Sequence, residues 1–245
     1  MEKVTSRDIA KMIDLSLLNP VMTEEDIIAG CELAKKYDVA SVCVKPCFVE
    51  KSYEILKDTD VKVSTVIGFP HGSNLTEVKV FEAGRALAQG CVELDLVLNI
   101  GKLLGGDFEY VESDIRAVAE ATHEAGAILK VILENAYLTD ELKAKACEIA
   151  ESAGADFVKT STGYAPGGAT IPDLRLMRAS TSDKVSIKAA GGVRTLDAAL
   201  NVRAVGGSRF GCTATVKIME EACEREAAGT LCLPEEVGDE LSETY

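Results

Sequence analysis

Lys159 ends the run Asp156-Phe-Val-Lys159, and Lys188 ends Val185-Ser-Ile-Lys188. Both runs have the apolar, β-branched look of a buried strand. A strand covered on both faces has no ordinary use for a charge. The same question attaches to Asp95 in Val92-Glu-Leu-Asp95, to Lys130 in Leu129-Lys130-Val-Ile, and to Glu134 just beyond it. Lysine and carboxylate can neutralise each other as a structural salt bridge, and for Lys130 and Glu134 that reading stands level with a functional one. Two cations at the ends of successive strands ask for more than packing, because burying charge costs free energy that a structural role rarely returns.

The chemistry such a pair offers is a neutral amine. A free lysine with a pKa near ~10.4 is unprotonated about once in 2,500 molecules at pH 7. A second ammonium ~5 Å away, at an effective dielectric of ~20, costs about 3 kcal/mol, or roughly 2.4 pKa units. Partial burial lowers the value further, and an amine fraction of roughly a quarter is enough to attack an aldehyde and form a Schiff base. Asp95, on a nearby strand, would move protons directly or through water. This is class I aldolase chemistry. Glycines follow the same strands: Gly163 after Lys159, Gly191 and Gly192 after Lys188, and Gly211-Cys-Thr213 after the last strand. Free backbone N–H groups at such turns, beside a helix N-terminus, are the usual barrel phosphate site. Tight-turn packing accounts for any one of these glycines equally well.

The elements that must position these residues alternate. Strand-like runs are expected over 39–44, 61–69, 92–98, 128–133, 156–160, 185–188 and 208–211, with 12–18 as a first strand. Helical patterns with cap signals fall between them, near 23–36, 48–57, 76–87, 107–125, 139–153, 172–180, 195–205 and 213–228. Eight β–α units of about 30 residues each predict a parallel (β/α)8 TIM barrel with a short extra N-terminal helix. A doubly wound sheet fits less well, since no Gly-x-Gly-x-x-Gly follows the first strand. The chain, 245 residues long, reads as one domain, with an acidic tail from about residue 234 expected to be mobile.

Composition narrows the function. Forty acidic against 26 basic side chains give a net charge of −14, which argues against nucleic acid as a partner but not against a small anionic substrate in a locally positive pocket. No apolar run reaches a membrane span and the first residues lack a secretory signal, so a cytoplasmic protein is expected. Two histidines, His71 and His123, exclude a multi-histidine metal cage. The eight cysteines form no C-x-x-C pair and read as reduced small hydrophobes; a zinc on Cys43 and Cys47 lacks two further ligands. No metal or cofactor is expected.

At these residues the sequence resembles the deoxyribose-phosphate aldolase family. The resemblance runs from about residue 7 to 225, through Ile13-Asp-Leu-Ser-Leu-Leu, Ala40-Ser-Val-Cys-Val, Val66-Ile-Gly-Phe-Pro and Glu93-Leu-Asp-Leu-Val. Its most specific segments are Lys159-Thr-Ser-Thr-Gly163 and Lys188-Ala-Ala-Gly-Gly-Val-Arg194. It implies a Schiff base on Lys159, with Lys188 lowering its pKa and joining Asp95 in a proton relay. Asp14, Lys130 and Glu134 would form a supporting polar network. It further implies reversible cleavage of 2-deoxy-D-ribose 5-phosphate to acetaldehyde and D-glyceraldehyde 3-phosphate, a small phosphorylated aldehyde as the partner, and a homodimer as one option. Terminal Tyr245 could close over the mouth as a proton donor, or be a disordered end without a role. The chain departs from the family pattern at Leu15, Lys45, Asn135 and Ala214. Lys45 would add positive charge near the second strand's mouth, admitting a further anionic group on the substrate, or would be a solvated surface lysine. A Schiff-base aldolase with another substrate, and a catalytically silent barrel that binds a phosphorylated metabolite, remain the competing readings.

Overall fold

Short β-branched runs and capped amphipathic segments fold as alternating strands and helices in the computed structural model, which describes residues 2–238 and 241. The strands are β1 (Ile13–Leu17), β2 (Ser41–Val44), β3 (Lys62–Ile67), β4 (Glu93–Val97), β5 (Ile128–Ile132), β6 (Phe157–Lys159), β7 (Ser186–Ala190) and β8 (Gly207–Cys212). All pair in parallel and in chain order, and β8 returns to β1 to close the ring. The helices around it are α1 (Ser6–Ala10), α2 (Glu24–Tyr37), α3 (Val49–Leu56), α4 (Thr76–Ala88), α5 (Ile100–Leu104), α6 (Phe108–Glu124), α7 (Asp140–Ser152), α8 (Ile171–Ala179), α9 (Leu196–Ala204) and α10 (Thr215–Ala227). The expected (β/α)8 barrel is therefore observed, short N-terminal helix included.

Helix starts follow the sequence signals. Thr5 with Asp8 and Thr23 with Asp26 form reciprocal capping boxes at α1 and α2. Asp107, Thr139, Thr170 and Thr195 accept first-turn N–H bonds at α6, α7, α8 and α9. Three details differ from expectation. The helix expected from 48 is preceded by a 3-10 turn at Pro46–Phe48. β6 has only three residues. The β4–α6 loop contains α5, five residues capped by Asn99 and too short to show a helical period.

A strand's period of two sends alternate side chains to opposite faces. Leu94, Leu96, Val131, Val158, Ile187 and Phe210 point outward into the main apolar cluster, where Ile115, Val118, Leu174 and Leu200 of the helices meet them. The inward positions carry the charges. Register sets Asp95 beside Lys130, Lys159 beside Lys188, and Lys188 beside Arg209 on neighbouring strands. The C-terminal segment is tied back to the barrel: Arg175 donates to the Val237 carbonyl, and Leu241 lies in the main apolar cluster. Tyr245 lies outside the described residues.

Candidate active site

Seven charged side chains converge inside the ring. Asp14 comes from β1, Glu93 and Asp95 from β4, Lys130 from β5, Lys159 from β6, Lys188 from β7 and Arg209 from β8. Asp95 is the hub. Its Oδ2 accepts from Lys159 Nζ at 2.7 Å and from Lys188 Nζ at 2.8 Å, while its Oδ1 accepts from Lys130 Nζ at 2.9 Å. Lys130 also pairs with Glu93 at 2.7 Å and Lys188 with Asp14. Arg209 reaches across the lumen to Glu93 at 3.0 Å and donates to Asp14. Ser41 completes Asp14 with a 2.7 Å hydrogen bond.

Charge counting says what this arrangement does. Four basic groups, Lys130, Lys159, Lys188 and Arg209, face three carboxylates, Asp14, Glu93 and Asp95. With the network buried except for a part-exposed Arg209, the surplus cation is costly, and the group that gives up its charge is the one with fewest anions. That is Lys159, whose only carboxylate partner among the described residues is Asp95. Burial, foremost, and the nearby Lys188 charge lower its pKa, while Asp95 opposes them. Burial works against Lys188 as well, but Asp14 and Asp95 together outweigh it and leave that amine raised. Lys130 is raised well above the ordinary lysine value in the same way, burial being overcome by Asp95, Glu93 and Asp14. Asp95 is held well below the carboxylate range because its three lysines overcome the cost of burial. The sequence arithmetic gave the neighbouring ammonium the leading part in depressing Lys159. Here burial leads, because Asp95 sits between the two amines and screens them.

The two amines open upward into a cavity of about 500 Å³ at the C-terminal end of the strands, floored by Asp14, Ser16, Cys43, Lys159 and Lys188. One side is lined by Gly163, Gly191, Gly192, Arg194, Gly211 and Thr213. Gly191 and Gly192 have φ of 79° and 91°, the left-handed region that side-chain-bearing residues avoid. Among the described residues no side chain caps α10, so its first-turn N–H groups are open to a ligand beside Thr213. This rim suits an anionic group despite the negative net charge. Across the cavity, Tyr164 packs edge-on against Phe69 with ring centroids 5.5 Å apart, and its hydroxyl donates to the Leu18 carbonyl at 2.9 Å. Lys130 and Glu134 stay below and beside the cavity. Glu134 takes a left-handed φ of 59° and accepts from the Thr162 N–H and hydroxyl, which orients the loop after Lys159. Burial raises the Glu134 carboxyl, against those same hydrogen bonds.

None of the four departures from the family pattern lines the cavity, though Ala214 stands at the N-terminal end of α10 beside Thr213. Lys45 neither lines the cavity nor sits free in solvent. Its ammonium donates to the carbonyls of Asn19, Pro20 and Met22 at 3.0, 3.3 and 2.9 Å and so pins the β1–α2 loop. Leu15 lies between Asp14 and Ser16 and faces the apolar cluster. Asn135 turns toward α8, donating to Asp173 at 3.2 Å. Ala214 precedes α10 and offers no side-chain cap.

Sequence reasoning missed Glu93 and Arg209, and with them the count that singles out Lys159. Both lie an even number of residues from assigned lumen positions, or in register with one, so the period of two carried the signal. It also passed over Ser16, Cys43, Tyr164 and Arg194, which line the cavity. Five cysteines are buried, with Cys147 pushed up to about 12 by burial, whereas Cys47 and Cys223 are exposed. Among the described residues, no cluster of His, Cys, Asp or Glu could hold a metal ion, and no helix is long and apolar enough to cross a membrane.

Comparison with known proteins agrees with this geometry. A family model described as "DeoC/LacD family aldolase" matches residues 9–233. A deoxyribose-phosphate aldolase of Caldanaerobacter subterraneus subsp. tengcongensis is 53% identical over 215 residues, spanning 87% of this chain and 93% of that protein. One from Thermococcus kodakarensis is 52% identical over 221 residues, spanning 89% and 99%. The solved deoxyribose phosphate aldolase of Aeropyrum pernix, described as a tetramer, superimposes with a TM-score of 0.82 at 31% identity, covering 89% of this chain and 92% of that one. A closed barrel with a shared-carboxylate lysine pair at its mouth, matched over nearly its full length by these relatives, belongs to the DeoC/LacD family of aldolases.

Proposed function

We propose that the chain reversibly cleaves 2-deoxy-D-ribose 5-phosphate to acetaldehyde and D-glyceraldehyde 3-phosphate, with Lys159 as the amine that carries the substrate. The observation that supports this most directly is two amines sharing Asp95 Oδ2 beneath an open cavity. Uncharged Lys159 adds to C1 of the open-chain sugar, and loss of water leaves an iminium. Asp95, hydrogen-bonded to the Lys188 ammonium, takes up the proton of the C3 hydroxyl directly or through water, with Lys188 completing the relay. The C2–C3 bond breaks, its electron pair forms the enamine, and C3 leaves as the aldehyde of glyceraldehyde 3-phosphate. The relay then returns the proton to C2. Water hydrolyses the resulting iminium, releasing acetaldehyde and the free amine.

Gly163, Gly191, Gly192, Gly211 and Thr213, with the open end of α10, would hold the 5-phosphate, while Asp14, Lys130 and Glu134 keep the network in place. The names of the relatives at 52–53% identity support the substrate. The reading of an additionally anionic substrate loses its motive, because the Lys45 ammonium is already taken up by three carbonyls. The reading also takes the enzyme to be cytoplasmic, with a homodimer as one option for its assembly.

Borohydride trapping with acetaldehyde, followed by peptide mass mapping, tests the chemistry. The expected result is one stable adduct, on Lys159, absent in Lys159→Ala, together with turnover of deoxyribose 5-phosphate by the unmodified enzyme. Label spread over surface lysines would overturn it.

A further inference from the structure

Among the described residues, everything that lines the cavity comes from β1, β2, β6, β7 and β8 and the loops after them, and nothing from the ends of β3, β4 or β5. A closed ring of strands is open all round its mouth, so something divides it. Tyr164, in the loop after β6, spans the division. Its hydroxyl donates at 2.9 Å to the carbonyl of Leu18, the residue after β1, although β7 and β8 stand between those two strands. Phe69, from the loop after β3 on the far wall, meets the Tyr164 ring edge-on with centroids 5.5 Å apart. Loops from three separate strands therefore join over the mouth. The cavity holding Lys159, Lys188 and the glycine rim lies to one side of this bridge. Behind it, Phe69 packs with Leu18, Cys43 and Val66 in a small apolar cluster of its own.

Both ends of the bridge are fixed. The Tyr164 N–H donates to the Thr162 hydroxyl oxygen at 3.0 Å, and that hydroxyl donates in turn to Glu134. At the other end Lys45 holds the Asn19, Pro20 and Met22 carbonyls. Four of the five carbonyls from Leu18 to Met22 thus accept a bond from a side chain of another loop. A tyrosine placed only for packing would bury its ring, but Tyr164 stands 49% exposed with its hydroxyl spent on a carbonyl across the mouth. The width it fixes is the room left for substrate carbons between the amine and the anion rim. A short, hydroxylated chain fits that space. A long apolar chain is turned away, because the apolar cluster that would receive it lies behind the ring.

We propose that Tyr164 is a specificity-determining residue: its bridge to Leu18, with Lys45 as the positioning residue for the far end, keeps the acceptor-aldehyde side of the site short and polar. The inference rests on the aldolase reading above. The test compares two acceptors for acetaldehyde, D-glyceraldehyde 3-phosphate and hexanal, the second giving 3-hydroxyoctanal. Circular dichroism and borohydride trapping of acetaldehyde on Lys159 check that each variant is folded and keeps a reactive amine. Tyr164→Ala is expected to raise the kcat/KM ratio of hexanal to glyceraldehyde 3-phosphate at least about a hundredfold over wild type. Tyr164→Phe, which keeps the ring and loses the bond, should raise KM for glyceraldehyde 3-phosphate about fivefold with kcat changed far less. Lys45→Met should act in the same direction. Lys45→Met/Tyr164→Phe should fall short of the product of the two single effects, because both act on one loop. A Tyr164→Ala enzyme that still traps acetaldehyde yet keeps the wild-type ratio would overturn the proposal. So would a Tyr164→Phe KM left at the wild-type value, or single effects that multiply in full. A wild type without the Lys159 adduct would instead overturn the aldolase reading, and this inference with it.

Discussion

Lys159 and Lys188 bear the same amine, yet their surroundings push them in opposite directions. The difference among the described residues is one carboxylate: Lys188 has Asp14 as well as Asp95, and Lys159 has Asp95 alone. Replacing Lys188 with leucine removes a repelling charge and leaves Asp95 Oδ2 to Lys159, and both changes favour the Lys159 ammonium. The acid limb of the kcat/KM profile is therefore expected to move to higher pH, with kcat reduced by roughly 10²–10⁴ through loss of the relay. An acid limb that stays in place or moves down would remove Lys188 from this role. At this scale the sequence was legible where a charge interrupts an apolar strand, as at Asp95, Lys159 and Lys188. It misplaced Lys45, read either as a cation at the second strand's mouth or as a solvated lysine, since residue type does not say which way a long loop side chain folds onto the three carbonyls that hold it.

Elements position the chemistry through their ends. Caps such as Thr23 with Asp26 were legible because the side-chain oxygens that replace missing backbone acceptors come from few residue types. Five-residue α5 was not legible, since little more than one helical turn shows no repeat, and β6, expected over 156–160, is only three residues long. The turn after β7 carries its own prediction. Gly191 has a positive φ and lies on the cavity rim, so Gly191→Ala forces a side chain into the left-handed region at roughly 1–2 kcal/mol. If the amides there hold the substrate phosphate, KM should rise about tenfold with kcat changed far less. Steady-state kinetics with deoxyribose 5-phosphate against unphosphorylated deoxyribose checks this, since only the phosphorylated sugar should show the loss.

For the molecule as a whole, alternation of eight strand and helix patterns sufficed to name the barrel, because few architectures accommodate that order with parallel strands. What alternation could not give is how the ring is stitched across its middle. Arg209 of β8 binds Glu93 of β4 and Asp14 of β1, so opposite walls are joined by buried charge. Arg209→Met is expected to cost about 3–5 kcal/mol in chemical denaturation, because two carboxylates lose their partner. The double variant Glu93→Gln/Arg209→Met should recover part of that loss. Full additivity of the two single changes would mean that the contact across the lumen is not energetically coupled.

Seven charges drawn from six strands have a temporal consequence. The burial and the neighbouring Lys188 that lower the Lys159 pKa exist only where β4 to β7 stand side by side, so a chain whose ring is open is expected to keep Lys159 protonated and unreactive toward aldehydes.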